Sequence, residues 1–361
     1  MKKTIVSIFL IFLVFTVASA QLPGCGSSSK ETPDTGGIFV TTNKGESWQP
    51  IGFMTTGEAI ASKSINYLKQ DPANGDTIFA GINGQGMIKS VDSGNTWENT
   101  SLTAGTIKSI SFDTKQSAIT GQSAIVYAGG EFSERGKIFK SIDNGETFTE
   151  IFSDANTDTY ISFLEVDSYE NSRVFALISS GVFMVSNDYG NSWDFKYTFD
   201  DQVNYFAISP LDSRIMYAVE DKKGFYFSND GGSSWEDLTE SINDSFEDTK
   251  ILSNVYAIAK DFKSVDRIHI LTEDGFYTSN NNGNNWQSTG PINLPERVKH
   301  GVVRINPNNR NEIFLGLNNS FYRSTDGGSN WSVYQLNDSI VYDILIDQDD
   351  TNSVYLGMLK N

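Results

Sequence analysis

Histidine and cysteine, the side chains most often used as metal ligands and nucleophiles, are nearly absent from this sequence. The 361 residues include one cysteine, Cys25, and two histidines, His269 and His300. A single cysteine cannot form an internal disulfide, and a zinc site with His and Cys ligands is nearly excluded. The sequence also lacks a glycine-rich phosphate loop before a helix and a G-x-S-x-G nucleophile turn. We therefore predict no bound metal and no cofactor.

Positive charge is also scarce. The sequence has 27 Lys and Arg residues against 45 Asp and Glu residues, which gives a formal net charge of −18. Such an acidic protein has no reason to bind nucleic acid or an anionic membrane surface. The apolar run Ile5–Val17 is too short to span a bilayer comfortably. We therefore predict no nucleic-acid partner and no membrane contact other than through an anchor.

The first residues have the pattern of an export signal. Lys2 and Lys3 precede the apolar run Ile5–Val17, and Ala18-Ser19-Ala20 is a small-residue cleavage site for ordinary secretion. A second reading is Leu22-Pro23-Gly24-Cys25, which resembles a bacterial lipobox, although Pro23 departs from the usual residue there. The sequence predicts either a lipoprotein on the outer surface or the periplasmic membrane face, or a secreted protein.

Cys25 favours the lipoprotein of these two readings. It is the one cysteine of an exported chain, and the polar stretch that follows it reads as a flexible tether. The alternative is a secreted protein with an unused thiol near a disordered end. We predict a signal peptide at residues 1–20, extending to residue 24 if Cys25 is acylated, and a tether at residues 25–35.

Seven copies of one motif, Ser/Thr-x-Asp/Asn-x-Gly-x-x-Trp/Phe, organise the rest of the chain. The first and last copies start 283 residues apart, and the mean period of about 47 is typical of propeller blades. All six tryptophans of the chain close a copy. The four defining residues of each copy are Thr41, Asn43, Gly45, Trp48; Ser90, Asp92, Gly94, Trp97; Ser141, Asp143, Gly145, Phe148; Ser186, Asp188, Gly190, Trp193; Ser228, Asp230, Gly232, Trp235; Ser279, Asn281, Gly283, Trp286; and Ser324, Asp326, Gly328, Trp331.

Each position of the motif has a structural use. The hydroxyl and the Asp/Asn side chain can bond the backbone N–H groups of a turn, and the glycine supplies a positive φ. The aromatic side chain packs the strand that leaves the turn. A calcium or catalytic role for the aspartates is the alternative, but Asn replaces Asp in two copies and calcium loops usually concentrate several carboxylates. The motif therefore favours a structural turn.

The motif resembles the Asp-box, also called the BNR repeat. It is found in sialidases, the sortilin-type receptor domain, xyloglucanase-type glycosidases and the photosystem II assembly and stability factors. The resemblance covers residues 36–361, and it implies a turn between the third and fourth strands of each blade, on the side away from the usual ligand face. It is specific for the fold and unspecific for function, because one fold hosts unrelated activities.

The ends of the chain indicate how the ring closes. Residues 341–361 read as a first and a second strand without an Asp-box, whereas residues 36–48 read as a third strand and an Asp-box with nothing before them. We predict an all-β fold: a seven-bladed β-propeller at residues 36–361, with four-stranded antiparallel blades. The N- and C-terminal strands pair to close the ring, which removes an open edge.

The sequence contains no assembled catalytic set. A glycosidase needs two nearby carboxylates, and acidic residues in the predicted ligand-face loops are numerous enough to carry little information. A sialidase is expected to have an arginine triad and an Arg-Ile-Pro stretch, whereas here arginines are few and no Arg-Ile-Pro occurs. Xyloglucanase-type enzymes use two propellers where this chain has room for one. The candidate carboxylates are Glu131, Glu134, Asp154, Asp158, Asp200, Asp201, Glu247, Asp248, Glu273 and Asp274.

Basic residues in the loops of several blades form a possible partner face. They are Arg135, Lys137, Lys222, Lys223, Arg297, Lys299 and His300. Together these features favour a monomeric, exported, lipid-anchored and non-enzymatic propeller that binds a protein or glycan through its loop face, in the style of an assembly factor. The alternative is a glycoside hydrolase or carbohydrate-binding protein of the xyloglucanase or sialidase type.

Overall fold

Short antiparallel strands joined by tight turns account for most of the fold. The computed structural model describes residues 36–113, 125–221, 224–244, 255–290, 292–336 and 339–360. In these ranges, 28 strands form seven sheets of four strands each. The predicted signal peptide, tether and Cys25 lie outside the described residues.

The first three blades follow one another directly along the chain. Blade 1 contains β3 (Ile65–Asp71), β4 (Asn74–Ile82), β5 (Gly86–Ser90) and β6 (Glu98–Asn99). Blade 2 contains β7 (Thr106–Asp113), β8 (Ile125–Phe132), β9 (Arg135–Ser141) and β10 (Thr149–Ser153). Blade 3 contains β11 (Ile161–Val166), β12 (Val174–Ile178), β13 (Val182–Ser186) and β14 (Asp194–Thr198).

The next three blades repeat this order. Blade 4 contains β15 (Val203–Ser209), β16 (Asp212–Glu220), β17 (Gly224–Ser228) and β18 (Glu236–Asp237). Blade 5 contains β19 (Val255–Lys260), β20 (Ile268–Thr272), β21 (Gly275–Ser279) and β22 (Gln287–Ser288). Blade 6 contains β23 (Gly301–Ile305), β24 (Ile313–Leu317), β25 (Ser320–Ser324) and β26 (Ser332–Gln335). The helix α1 (Thr239–Asp244) and a 3₁₀ turn (Ile60–Ser62) lie between blades.

The closing blade is built from both ends of the chain. Its strands are β1 (Gly37–Thr41), β2 (Gln49–Pro50), β27 (Ile340–Ile346) and β28 (Val354–Leu359), in the order β2-β1-β28-β27. β1 and β28 pair antiparallel over five residues each. The predicted seven-bladed ring, closed by the N- and C-terminal strands, is therefore confirmed.

The hydrophobic core lies between adjacent blades. One cluster combines Phe79 and Met87 of blade 1 with Ile107 and Ile110 of blade 2, all of them fully buried. Small residues in the second strands allow this close approach. A Cβ at Gly316 would lie 2.5 Å from the Val341 side chain of the closing blade, a distance that real Cβ contacts do not reach. The blades therefore pack face to face with little spare volume, as protein interiors do.

The seven Asp-box turns share one hydrogen-bond arrangement. In blade 3, the Ser186 hydroxyl accepts from the Gly190 N–H at 2.8 Å and donates to Asp188 Oδ1 at 2.8 Å. Asp188 also accepts from the N–H (2.8 Å) and the hydroxyl (2.6 Å) of Ser192. The bonds through the first hydroxyl, and the bond from Oδ1 to the N–H four residues on, recur in every copy. Because the shared acceptor is Oδ1, the amide oxygen of Asn43 or Asn281 can accept the same hydrogen bonds as an aspartate oxygen.

The closing aromatic residues differ more than the polar ones. The indole N–H groups of Trp97, Trp235, Trp286 and Trp331 each donate to the carbonyl of the glycine three residues earlier. The Nε1 atoms of Trp48 and Trp193 are buried without a hydrogen-bond partner among the described residues. Phe148 has no such donor. The seven turns therefore share an aromatic ring at this position, but not its hydrogen bond.

Acid should weaken the turns that carry a carboxylate. Hydrogen bonds from Ser192 and Ser186 lower the pKa of Asp188 to about 2, against an ordinary value of 3.8. A lowered folded-state pKa stabilises the fold above the unfolded-state value, and this stabilisation is lost as the pH falls from about 4 towards about 2. We expect Asp188→Asn to reduce the dependence of the urea midpoint on pH in that window.

The reverse substitution provides the matched control. Asn281→Asp introduces a carboxylate into a turn of the same geometry and should steepen the loss of the urea midpoint below pH 4. Identical pH dependence in the wild type and Asp188→Asn would show that these hydrogen bonds do not stabilise the ionised form.

Candidate functional site

The first strands of the blades line the centre of the ring, and six of the seven described first strands contain a β-bulge near their start. The first strands of successive blades contact one another around the centre. Each bulge follows an Ile or Val and leaves one residue without a partner in the ladder, whereas β23 pairs without a shift. The bulged residues are Asn66, Lys108, Ser162, Asn204, Tyr256 and Tyr342.

These bulges lie on the face of the ring opposite the Asp-boxes. In blade 1, Ile65 at the start of β3 pairs with Ile82, and Ile82 pairs with Gly86 at the start of β5. Ser90, which opens the Asp-box, pairs with Ile78 at the other end of the sheet. We call the end where first and third strands begin the loop face, and the other end the Asp-box face.

A cavity of about 300 Å³ opens at the centre of the loop face. Side chains from different blades meet there, including Lys108, Tyr160, Tyr205, His300 and Tyr342. The volume is at the lower end of the range for small-molecule sites, and the mixture of aromatic walls and few polar groups is typical of such sites. We call this cavity the channel mouth.

Lys108 projects over an aromatic ring in the channel mouth. Its Nζ lies 5.0 Å from the centroid of the Tyr160 ring, within the range of a cation–π interaction. Burial lowers the pKa of Lys108, and the nearby exposed carboxylate of Glu131 partly opposes this effect. None of the described carboxylates forms an ion pair with Lys108. This ammonium group is therefore partly desolvated, and no salt bridge to a described residue compensates for it.

A chain of polar side chains continues from Tyr160 along the rim. Gln202 Nε2 lies 3.0 Å from the Tyr160 hydroxyl and 3.1 Å from Asn204 Oδ1. Asn204 Nδ2 in turn donates to Asp221 Oδ1 at 2.9 Å. These bonds fix the position of the Tyr160 ring, over which Lys108 sits, across the boundary between blades 3 and 4.

His300 forms a flat wall of the channel mouth. Its ring stacks on Tyr342 with centroids 4.0 Å apart and an interplanar angle of 3°. Its Nε2 lies 2.8 Å from the Tyr342 carbonyl oxygen, and since a carbonyl only accepts, Nε2 carries the proton. Burial lowers the pKa of His300 although the Tyr342 carbonyl and Asp343 favour the charged form. At neutral pH the His300 ring is therefore uncharged and contributes a flat aromatic surface.

Arg304 and Asp343 satisfy each other below this wall. Arg304 Nη2 donates to Asp343 Oδ1, and its Nε donates to the Ile344 carbonyl at 3.1 Å. Asp343 Oδ2 accepts the Leu68 N–H at 2.8 Å and so connects the closing blade to blade 1. Asp343 is the acidic residue among those that line the channel mouth, and its side chain is 3% exposed. The pair is a structural connection with little capacity for a ligand.

Two tyrosines add hydroxyl groups to the channel mouth. Burial raises the pKa of both Tyr205 and Tyr342, so both phenols are protonated at neutral pH. Neither hydroxyl has a hydrogen-bond partner among the residues that the structure describes. Each can therefore donate to a ligand.

The predicted partner face is only partly assembled. His300 lines the channel mouth, whereas Arg135 donates to the carbonyl groups of Asp154 and Ala155 in the loop between blades 2 and 3. Lys137 forms an ion pair with Glu150 at 2.8 Å. Arg297 and Lys299 are exposed, and Lys222 and Lys223 lie outside the described residues.

The candidate carboxylates that the structure describes do not line the channel mouth. Asp154 is buried and accepts the Asn156 N–H at 3.1 Å, which makes it part of a turn. Glu247 and Asp248 lie outside the described residues. The remaining candidates are exposed: Glu131, Glu134, Asp158, Asp200, Asp201, Glu273 and Asp274.

Sequence reasoning missed most residues of the channel mouth, above all Lys108, Tyr160, Tyr205 and Tyr342. The predicted ligand face consisted of loops between strands, whereas three of these four residues belong to first strands. A usable signal was present, because each bulged residue follows an Ile or Val at the start of a first strand. The residue type at that position differs between blades, so no repeated letter marks it.

A second, larger groove lies at the seam between blade 6 and the closing blade. It has a volume of about 560 Å³ and is lined by apolar side chains that include Trp48, Tyr334, Leu336 and Met358. The described residues hold no cluster of His, Cys, Asp and Glu that could bind a metal ion. None of their helices is long and apolar enough to cross a membrane.

Comparison with known proteins agrees with the fold. A family model described as Sortilin-Vps10 (sortilin, neurotensin receptor 3) matches residues 136–261. The structure is similar to a GH74 xyloglucanase from Xanthomonas campestris, with a TM-score of 0.63 and 14% identity over 82% of this chain and 51% of that chain. This chain thus spans about half the length of the xyloglucanase. No curated protein matches the chain in sequence.

Two similar structures are YCF48 proteins. YCF48 bound to D1 peptide has a TM-score of 0.57 and 17% identity over 82% of this chain and 92% of that chain. YCF48 from Cyanidioschyzon merolae has a TM-score of 0.59 and 13% identity over 82% of this chain and 95% of that chain. The predicted resemblance to xyloglucanase-, sortilin- and assembly-factor-type propellers is confirmed. At these identities the likeness shows the fold alone.

Proposed function

We propose that this protein is a non-enzymatic binding protein that holds a protein partner at its loop face, through the channel mouth. The observation that carries the proposal is the convergence of Lys108, Tyr160, Tyr205, His300 and Tyr342 in one open cavity. Tyrosines in a concave site provide a large contact area together with a polar group, which is why they dominate binding hot spots. The rigid ring positions these side chains before a partner arrives.

The proposal includes the location of the protein. The protein is exported and acts as a monomer, and the thiol of Cys25 carries a lipid that keeps it at a membrane surface. Secretion after cleavage behind Ala20 is the alternative location. The support for both is the N-terminal sequence, with its basic residues, apolar run and single cysteine.

A polysaccharide-active or carbohydrate-binding protein is the second candidate. The tyrosine walls of the channel mouth favour it, since aromatic rings also stack on sugars, and one similar structure is a xyloglucanase. A glycosidase needs two carboxylates about 5–10 Å apart. The acidic side chain that lines the channel mouth, Asp343, is held by Arg304 and the Leu68 N–H. The similar YCF48 structure holds a peptide, which favours a protein partner.

A binding panel tests the two candidates together. The full chain is applied to an immobilised hexapeptide library and to a set of polysaccharides, and retention and released reducing ends are recorded in the same wells. We expect retention on peptides without release of reducing ends. Tyr342→Ser should weaken that retention by about tenfold or more, since truncating a central aromatic residue commonly costs that much affinity.

Tyr169→Ser is the matched control, because Tyr169 is exposed in the turn between the first two strands of blade 3, on the Asp-box face. It should leave retention unchanged. Released reducing ends would establish an enzyme, and retention on polysaccharides alone would establish the carbohydrate-binding alternative. Equal effects of the two substitutions would place the binding surface away from the channel mouth. Urea midpoints of both variants exclude unfolding as the cause.

A further inference from the structure

We propose that the channel mouth recognises a carboxylate group of a peptide and that Lys108 is the cation that pairs with it. This inference rests on the proposed function, and it adds the chemistry of the group that enters the cavity. The carboxylate belongs either to the C-terminus of the peptide or to an acidic side chain. Both sources present the same planar anion.

Several donors in the channel mouth are available to a ligand. They include the Lys108 ammonium and the hydroxyls of Tyr205 and Tyr342, none of which has a hydrogen-bond or ion-pair partner among the described residues. Lys108, Tyr205, His300 and Tyr342 all line this one cavity. An ionised carboxylate is an acceptor-only group with two oxygens, and it can bond an ammonium and a phenol at once.

The charge of the channel mouth differs from that of the whole protein. The chain carries a formal net charge of −18. Within the channel mouth, however, Arg304 and Asp343 neutralise each other, and His300 is uncharged at neutral pH. Lys108 is then the uncompensated charge among the described side chains that line the cavity. A partly buried ammonium without a partner gains most from an incoming anion, because its desolvation has already occurred.

The shape of the site favours a peptide over a polymeric glycan. A cavity of about 300 Å³ at the centre of a ring accepts one chain end or one side chain inserted along the axis. A polysaccharide chain would need a cleft that is open at both ends. The bulges also leave peptide groups of five lining residues, including Lys108 and Tyr342, outside the ladder. These groups can hydrogen-bond the backbone of an inserted peptide.

Three forms of a peptide library and one acidic glycan test the inference. Hexapeptides of neutral residues are displayed with a free C-terminal carboxylate, with an amidated C-terminus, and with an amidated C-terminus plus one Asp or Glu. Oligogalacturonate provides a carboxylate on a glycan. We expect the full chain to bind one or both of the peptide forms that carry a carboxylate, and to bind the neutral amidated form about tenfold more weakly or worse, as expected for a charge-assisted hydrogen bond.

Lys108→Met retains the length of the side chain and removes its charge. It should reduce binding of the carboxylate peptides to the level of the neutral peptides. Lys137→Met is the control: it removes a cation from the same blade that is paired with Glu150 outside the channel mouth, and binding should not change. The urea midpoints of both variants should differ from that of the wild type by no more than a surface substitution typically causes.

Each outcome separates the possibilities. Preference for the free C-terminus identifies a chain end, and preference for the Asp or Glu form identifies a side chain. Equal binding of neutral and carboxylate peptides, unaffected by Lys108→Met, would overturn the inference while the proposed function stands. Binding to oligogalacturonate alone would overturn the assignment of the carboxylate to a peptide. Retention on no ligand form would overturn the inference together with the proposed function.

Discussion

Replacing Glu312 by glutamine should lower the free energy of unfolding by about 3 kcal/mol, near the lower end of the range for breaking a buried ion pair. The Glu312 side chain is 2% exposed, and this residue immediately precedes β24. Its Oε1 accepts from Arg323 Nη2 at 2.8 Å, and its Oε2 accepts from Lys44 Nζ at 2.9 Å and from Asn306 Nδ2 at 2.7 Å. Glutamine would turn one of these acceptors into a donor that faces other donors.

The position of Glu312 explains why the effect should be large. Lys44 belongs to the Asp-box of the closing blade, and Arg323 belongs to β25 of blade 6. The carboxylate therefore connects the last continuous blade to the blade that closes the ring. Lys44 and Arg323 retain 24% and 19% side-chain exposure, so water can partly solvate them in the variant. This access to water places the expected cost at the low end of the range.

Equilibrium urea unfolding of the full chain measures the loss, and Asp194→Asn is the matched control. Asp194 forms an ion pair with Lys196 at 3.4 Å, with exposures of 65% and 36%, and such surface pairs contribute less than about 1 kcal/mol. A double-mutant cycle of Glu312→Gln with Lys44→Met should show coupling, because the two side chains are in contact. Similar midpoints for Glu312→Gln and the wild type would show that this network does not secure the closure.

The blades could be predicted from the sequence because their signal is local. Each Asp-box needs a hydroxyl, an Asp or Asn and a glycine at fixed spacing within one turn, and these requirements are met by neighbouring residues alone. The number of blades followed from counting the turns. The closure followed from the two incomplete repeats at the ends, which together supply four strands.

The channel mouth could not be predicted in the same way, because it depends on pairing between strands. A bulge shifts the register by one residue, and this shift directs Lys108 out of the ladder between β7 and β8. The six bulged positions hold Asn, Lys, Ser, Asn, Tyr and Tyr, so the sequence shows no common residue there. Of the cationic residues that the sequence did mark, Arg135 and Lys137 are engaged by partners outside the channel mouth.

A second substitution with a large expected effect is Gly232→Ala, which should cost about 3 kcal/mol from the sum of backbone strain and overpacking. Gly232 is the Asp-box glycine of blade 4 and has φ of +80°. A Cβ there would lie 2.3 Å from Cε1 of Phe183, a fully buried ring in β13 of blade 3. The Phe183 ring has little room to move away from the new Cβ, because it stacks on Phe206 with centroids 5.3 Å apart and contacts Trp235 edge-on.

The neighbouring Gly231 separates the two causes. Its φ is +75°, close to that of Gly232, but a Cβ there would have nothing within 4 Å. Gly231→Ala should therefore show the backbone strain alone, about 1–2 kcal/mol for a left-handed residue. The effect of glycine replacement on the unfolded chain is the same in both variants and cancels in the comparison.

Urea midpoints of the two glycine variants measure the difference, and Phe183→Leu in the Gly232→Ala background tests its origin. The smaller side chain relieves the contact with the new Cβ, so the double variant should be more stable than the sum of the single effects predicts. Equal losses for Gly231→Ala and Gly232→Ala would assign the glycine requirement to backbone conformation alone. A larger loss for Gly232→Ala, relieved by Phe183→Leu, would show that the Asp-box glycine also sets the distance between adjacent blades.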